Sequence, residues 1–426
     1  MEVLQDTYKD TKIGRIPIDW EVVMLKDVCK VITSGFSFDV FEKSKIYDGV
    51  EVLFTKVSDM NLAGNERIIT DSVNKGLFSN EFVSSNSVIK PNSLIFPKRG
   101  AAIKTNKKRI NGKHIILDPN LIAVSFYDEG TVNYLFTYYY FVNFDLMKIV
   151  EDGTIPQINK RDIEPFKIPL PPLKEQQKIA AILSTVDEQI STTDKIIEKS
   201  KELKKGLMQK LFSEGIGHTE FKDTKIGRIP KDWNTLKINQ VADCYGGTTP
   251  STTVEEYWNG DILWATPSDI TKNKSEYLLN TSRKITEQGR ASKNLRFVKK
   301  NGLLMTSRAS IGFLNISNGD VVTNQGFINI ECKDNFHYKF FYYWVLDNRK
   351  KLLSLSQGST FLELYRKTFS KISILTPPLP EQQKIADILS EVDAKIENEQ
   401  AKKEQLEALK KGLMQQLLTG KKRVKV

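Results

Sequence analysis

The chain has 426 residues, with 63 Lys and Arg against 52 Asp and Glu, a formal net charge of +11; 40% of it is hydrophobic and 27% charged. This describes a folded chain of roughly two to four domains and excludes a disordered one. The longest apolar stretches, such as Leu121 to Val124, fall well short of the ~20 residues that span a bilayer. The start MEVLQDTYKD lacks the apolar core of a signal peptide, so a cytoplasmic location is expected. Cys29, Cys244 and Cys332 and His114, His218 and His337 are dispersed with no metal-ligand spacing, and neither a disulfide framework nor a zinc site is expected.

The chain is written twice. Residues 10–20 (DTKIGRIPIDW) return at 223–233 (DTKIGRIPKDW), 175–187 (EQQKIAAILSTVD) at 381–393 (EQQKIADILSEVD), and LKKGLMQ occurs at 203–209 and 409–415. Self-similarity in this order marks a tandem duplication. The first block is displaced by 213 residues and the later two by 206, so the interval between them is seven residues shorter in the second copy. That interval is also where the copies diverge. A shared frame around unlike inserts implies two modules of one architecture that recognise different things.

In chain order, the first insert (roughly 21–165) carries β-prone runs such as Val50–Val57 between turn signals at Ser34-Gly35 and Asn111-Gly112. This spacing predicts mainly antiparallel sheet. Near its end lies an aromatic cluster, Tyr134 to Phe141, which fits a half-buried helix on a sheet better than a base-stacking platform. Pro171-Pro172 then stops the preceding segment, and Glu175 places negative charge at a helix N-terminus. A stripe of Ile179, Leu183, Val186, Ile190 and Ile197 predicts a long amphipathic helix. The second insert (roughly 234–372) repeats the plan, with Gly246-Gly247 and Asn318-Gly319 as turns, Val321–Ile330 as a β-prone run, and Tyr338 to Trp344 as the aromatic cluster. Pro377-Pro378 and Glu381 open a second helix to Leu418, striped by Ile385, Leu389, Val392, Ile396, Leu406, Leu413 and Leu417. Each stripe needs a partner, and the other copy is the obvious one. The short connection through Ser213, Gly215 and Gly217 favours antiparallel pairing.

The fold expected is therefore α+β: a tandem duplication of two mixed α/β domains separated by two long helices pairing as an antiparallel coiled coil. The boundaries are 1–168 for the first domain, 169–215 for a central spacer helix, 216–375 for the second domain, and 376–426 for a C-terminal spacer helix and basic tail.

Catalytic signatures are missing. There is no GxxxxGK[ST] phosphate loop, no [DNS]PP[YFW] segment, no GxSxG elbow and no HExxH helix. Binding remains. Pro97 to Lys113 holds seven basic residues and no acidic one, and Arg283 to Arg308 holds eight against Glu287 alone. Cations there would neutralise phosphates and reach guanine edges. The candidate DNA-binding residues are Lys98, Arg99, Lys104, Lys107, Lys108, Arg109, Arg283, Lys284, Arg296 and Arg308. Arg99 and Arg308 lead because they share a repeat position beside small residues, Gly100 and Ala309.

The duplicated IGRIP-x-DW segments at 13–20 and 226–233, the PPL-x-EQQKIA-x-IL segments at 171–183 and 377–389, and the GLMQ helix ends resemble the DNA-specificity subunits of type I restriction-modification enzymes, over nearly the whole chain. The resemblance implies two target recognition domains, each reading one half of an asymmetric bipartite site, with the paired helices setting the gap. It implies a non-catalytic chain on which two methyltransferase subunits dock to methylate adenine N6, with restriction/translocase subunits joining them. S-adenosylmethionine, ATP and Mg would belong to those partners. Gln176, Gln177, Gln382 and Gln383 are the candidate docking residues. A methyltransferase-only system, a protein-interaction scaffold and a self-contained nuclease are the alternative readings.

Overall fold

The computed structural model describes residues 8–33, 36–128, 130–150, 155–224, 227–308, 310–358 and 362–425. Ser34-Gly35, Ile226 of the second IGRIP segment and Ala309 lie outside them. The chain forms two compact units. One holds the residues up to Asp194 together with those from Lys402 on, and the other holds Lys195–Ala401. Each unit therefore combines a domain, the near end of the helix that follows it and the far end of the other long helix.

In the first unit a five-stranded sheet runs in the order Cys29–Ile32, Leu121–Phe126, Leu94–Pro97, Arg109–Asn111, Ile68–Ile69. A three-stranded sheet places Val50–Thr55 between His114–Leu117 and Asn74–Phe78. In the second unit Ala242–Tyr245, Phe327–Cys332, Leu303–Thr306, Leu314–Ser317 and Tyr277–Leu278 repeat the larger sheet. Trp258–Ala265 between Arg283–Ile285 and Val321–Thr323 repeats the smaller one. Most ladders are antiparallel, but each unit has two parallel ones, such as Leu117 against Thr55 and Thr323 against Ala265, so the sheets are mixed. Val321–Ile330 is not one strand. Gly326 N–H donates to Asn324 Oδ1 (2.8 Å) in a tight turn that sends Val321–Thr323 and Phe327–Cys332 to different sheets.

The aromatic clusters are the helices Tyr134–Val142 and Tyr338–Asp347. Phe136, Tyr139 and Phe141, and likewise Phe340, Phe341 and Tyr343, are buried against the larger sheet's core. The long helices are Leu173–Ser213 and Leu379–Leu417, with 41 and 39 residues, roughly 60 Å each at 1.5 Å per residue. They pair antiparallel. In the first unit Ile179 and Leu183 pack with Met414, Leu417 and Leu418, and in the second Ile385 and Leu389 pack with Met208, Leu211 and Phe212. The repeated GLMQ segment thus ends each helix as an apolar plug in the core of the opposite copy's domain. Among the described residues no helix is long and apolar enough to cross a membrane.

Candidate nucleic-acid interface

Three polar ties hold each domain to its helices, and each occurs twice. Trp20 and Trp233 are fully buried, and their indole N–H groups donate to Glu175 Oε2 (3.0 Å) and Glu381 Oε2 (2.9 Å) at the helix starts. Gln176 Oε1 accepts from Asn133 N–H (2.8 Å) at the start of the aromatic helix, and its amide donates to Pro171 O (2.8 Å). Gln382 does the same with His337 N–H (2.8 Å) and Pro377 O (2.9 Å). Finally, Tyr139 OH donates to Asp187 (2.7 Å), which also pairs with Lys410 (2.5 Å). Tyr343 OH donates to Asp393 (2.9 Å), which pairs with Lys204 (2.6 Å). Burial, followed by the nearby Asp187 charge, raises the Tyr139 phenol above its ordinary range; burial heads the causes for Tyr343 too. The frame motifs EQQ, W and Y–D are therefore carpentry.

The four candidate docking glutamines divide by burial. Gln176 and Gln382 are buried with their polar atoms occupied, so they present nothing outward. Gln177 and Gln383 are exposed, and Gln383 donates to Asp387 (2.9 Å) one helical turn on.

The basic candidates divide by burial. Lys108 is 2% exposed, with its ammonium bonded to Asn106 Oδ1 (2.7 Å) and Phe144 O, and burial pushes its pKa down to about 8. It cannot meet a phosphate without unfolding its loop. Arg109 is half-buried and donates to Lys108 O (2.9 Å) and Met60 O (3.2 Å), which ties two loops together. Lys98 and Lys107 donate to Thr33 O and Asn61 Oδ1. Arg99 and Lys104 are exposed at the end of the strand Leu94–Pro97 and on the helical turn Gly100–Thr105.

Arg99 and Arg308 do occupy one structural position. Each forms an isolated antiparallel bridge with a returning loop, to Gln157 and Glu363 respectively. The partners differ in charge: Arg99 lies 3.5 Å from the neutral Gln157 amide, whereas Arg308 Nε pairs with the Glu363 carboxylate at 2.9 Å. Arg296 is likewise paired, to Glu331, with its guanidinium 4.0 Å over the Tyr245 ring. Arg283 and Lys284 lie on the edge strand Arg283–Ile285, and Arg283 stacks on Trp258. Charge counting along the sequence missed Glu363 and Glu331 as neutralising partners, because both come from distant segments. Among the described residues no group of three or more His, Cys, Asp and Glu side chains is placed to hold a metal ion.

A duplicated frame presenting two unlike sets of cations defines a two-module recognition protein. The sequence profile of the type I restriction modification DNA specificity domain matches residues 17–202 and again 230–408, and the chain belongs to that family. It is 29% identical over 448 residues to the putative type I restriction enzyme MjaX specificity subunit of Methanocaldococcus jannaschii, covering 99% of this chain and 98% of that one. To the MjaIX specificity subunit of the same organism it is 43% identical over 193 residues, 45% of each chain. The crystal structure of the type I restriction-modification S subunit from M. genitalium shares the fold, with a TM-score of 0.56 at 15% identity over 94% of this chain and 96% of that one. A chain from a structure describing assembly and conformational transition of a type I system gives 0.54 at 16% identity over 95% and 99%. Members of this family are the DNA-recognition components of multi-subunit systems, not the catalytic ones.

Proposed function

We propose that 1–168 and 216–375 are target recognition domains, each reading one half of an asymmetric bipartite DNA site. The segments 169–215 and 376–426 then serve as spacer helices that fix the interval between the half-sites. The chain directs two methyltransferase subunits, which carry S-adenosylmethionine, to the N6 of an adenine, and directs ATP- and Mg-dependent restriction/translocase subunits to unmodified sites, all in the cytoplasm. Phosphate and base contacts come from Arg99, Lys104, Arg283, Lys284, Arg296 and Arg308, with Lys98 and Lys107 beside them. Gln177 and Gln383 lie on the surface that receives the methylating subunits.

The observation that carries this reading is the pair of identical polar frames beneath unlike exposed cations. Two half-sites on one chain add their discriminations, at about 1–3 kcal/mol per mismatched base pair. Linkage makes the second binding step intramolecular. The test is a methylation map of host DNA with the gene intact and deleted. Loss of adenine methylation at one bipartite motif of fixed spacing is the expected result. An unchanged map, with this chain and its methylating partner both expressed, would replace DNA recognition with a scaffold role.

A further inference from the structure

We infer that Arg283 is a base-reading residue of the second domain and that its partner is a guanine in that domain's half-site. The inference rests on the DNA-recognition reading above and deepens it by naming a residue and the base it selects.

The guanidinium of Arg283 lies 3.5 Å over the centre of the Trp258 ring and 5.5 Å from that of Trp264. The platform is rigid. The two indoles meet edge to face at 5.0 Å, and their N–H groups are spent on backbone, Trp258 on Ser251 O (3.0 Å) and Trp264 on Thr248 O (3.3 Å). A regular strand would hold residues six apart roughly 20 Å from each other. Here the register shifts, with both Trp258 and Ile262 opposite Ile285, and this brings the rings together. Asn259 takes φ +62°, and a Cβ on Gly260 would lie 2.6 Å from Ile285 O, so the shift depends on a residue without one.

The backbone under Arg283 is equally fixed. Ser282 N–H donates to Asp269 Oδ1 (2.8 Å), and Thr281 Oγ1 donates to Arg283 O (2.6 Å). Arg283 begins an edge strand, its side chain is exposed, and among the described residues it has no carboxylate partner. Arg308 and Arg296 do have one. Stacking on an indole occupies the face of a guanidinium and leaves its edge of N–H donors presented in a fixed orientation. That fork matches O6 and N7 of guanine in the major groove, which it bonds in pairs. The same fork can also grip a phosphate, but only a contact to a base edge makes one base of the half-site obligatory, and that is what a methylation map reads.

The first unit carries a different side chain at this place. Phe54 stands opposite Asn74 as Trp264 stands opposite Arg283, and Asp59 accepts from Val73 N–H (3.4 Å) as Asp269 does from Ser282. Asn74 has no guanidinium, so the guanine preference at this position belongs to the second half-site alone.

The experiment maps methylation in cells carrying the whole system with wild-type chain, Arg283→Ala or Arg283→Lys. In the wild type, the second half-site contains a required guanine. Arg283→Ala relaxes that one position to other bases, with discrimination falling roughly 10- to 100-fold, and leaves the other half-site and the spacing as they were. Arg283→Lys keeps the charge but does not restore the guanine requirement. The side chain is exposed and gives up only its cation–π contacts, so both variants stay folded and melt within a few degrees of the wild type. A phosphate role is the overturning outcome: Arg283→Ala lowers methylation at every site alike and Arg283→Lys rescues it, with no position relaxed. Relaxation in both half-sites would overturn it as well. A wild-type system that methylates no bipartite motif removes the recognition reading itself, and this assignment with it, before any variant is made.

Discussion

The two units are built on the same ties and differ at what those ties support. In the first, Glu175 is gripped by the Trp20 indole and by Arg423, whose guanidinium bonds both Glu175 oxygens (2.8 Å each) and both Asp19 oxygens (2.8 and 2.7 Å). In the second, Glu381 holds Trp233 identically, but its other oxygen meets His218 Nε2 (2.9 Å) and Ile216 N–H (2.9 Å). The buried acceptor is kept and its partner is exchanged. The same rule runs outward: Gln157 faces Arg99 where Glu363 faces Arg308, and Asn74 stands where Arg283 stands. The buried acceptors that set geometry stay fixed, while the groups around them and those proposed to meet DNA are varied.

The sharpest test of that asymmetry is the carboxylate pair. Glu175→Gln removes the buried side of a forked ion pair whose Arg423 is 41% exposed and keeps Asp19, so solvent screening holds the loss to about 2.5 kcal/mol. Glu381→Gln leaves an amide whose oxygen still accepts from Trp233 while its NH2 replaces the oxygen that took Ile216 N–H, a lost neutral hydrogen bond that should cost about 1 kcal/mol. Trp20 is the first unit's single tryptophan among five in the chain, so fluorescence-detected denaturant unfolding separates the units. Equal losses would mean that Arg423 contributes nothing beyond what His218 does.

A smaller difference is expected at the third tie. Asp187 serves Tyr139, Lys410 and, at 3.6 Å, Arg67, whereas Asp393 serves Tyr343 and Lys204. Substituting Asn leaves two cations unpaired in the first unit and one in the second. Losses of about 2 and about 1 kcal/mol follow from unsatisfied, half-buried charge. Denaturation midpoints of Asp187→Asn and Asp393→Asn check this, and a larger loss for Asp393→Asn would contradict it.

Much of this architecture is legible in the sequence, because a duplication announces its frame by repeating it. The helices follow from their stripes, and their antiparallel sense from the short link through Ser213, Gly215 and Gly217. What could not be read is the direction in which polar residues point. Gln176 and Gln177 are neighbours in one motif, yet one is buried and the other exposed, because a helix turns 100° per residue and only tertiary packing chooses the face. Nor does a basic run reveal its own neutralisation: Glu363 lies 55 residues from Arg308 and reaches it through an isolated bridge. The Trp258–Arg283 stack is hidden for a similar reason, since it depends on a shift in strand register that no local pattern encodes.

Lys108 offers the finest test, because the second unit states what the alternative would be. In the paired strands Leu94 faces Ile110 and Leu303 faces Ile316, so Lys108 corresponds to Leu314, which is also buried. One unit thus holds an amine where the other holds an alkyl chain. Burial lowers the amine's pKa from its ordinary 10.5 to about 8. Between those values the unfolded chain keeps the proton that the folded chain has released, so the free energy of unfolding rises with pH from about 8 to 10.5; below about 8 the full desolvation penalty is present. Lys108→Leu removes that penalty and takes one of two donors from each acceptor, since Asn106 Oδ1 keeps Leu146 N–H (3.0 Å) and Phe144 O keeps the Asn106 amide (3.2 Å), so near pH 7 the net change is small. The slope, not the absolute stability, is therefore the diagnostic: wild type gains stability between pH 8 and 10.5, and the variant lacks that gain. The same variant should leave the salt dependence of DNA binding untouched, whereas Lys104→Ala lowers its slope by about one. A Lys108→Leu chain with a reduced salt slope would place this lysine on the phosphates after all, and the buried amine would have to leave its loop to get there.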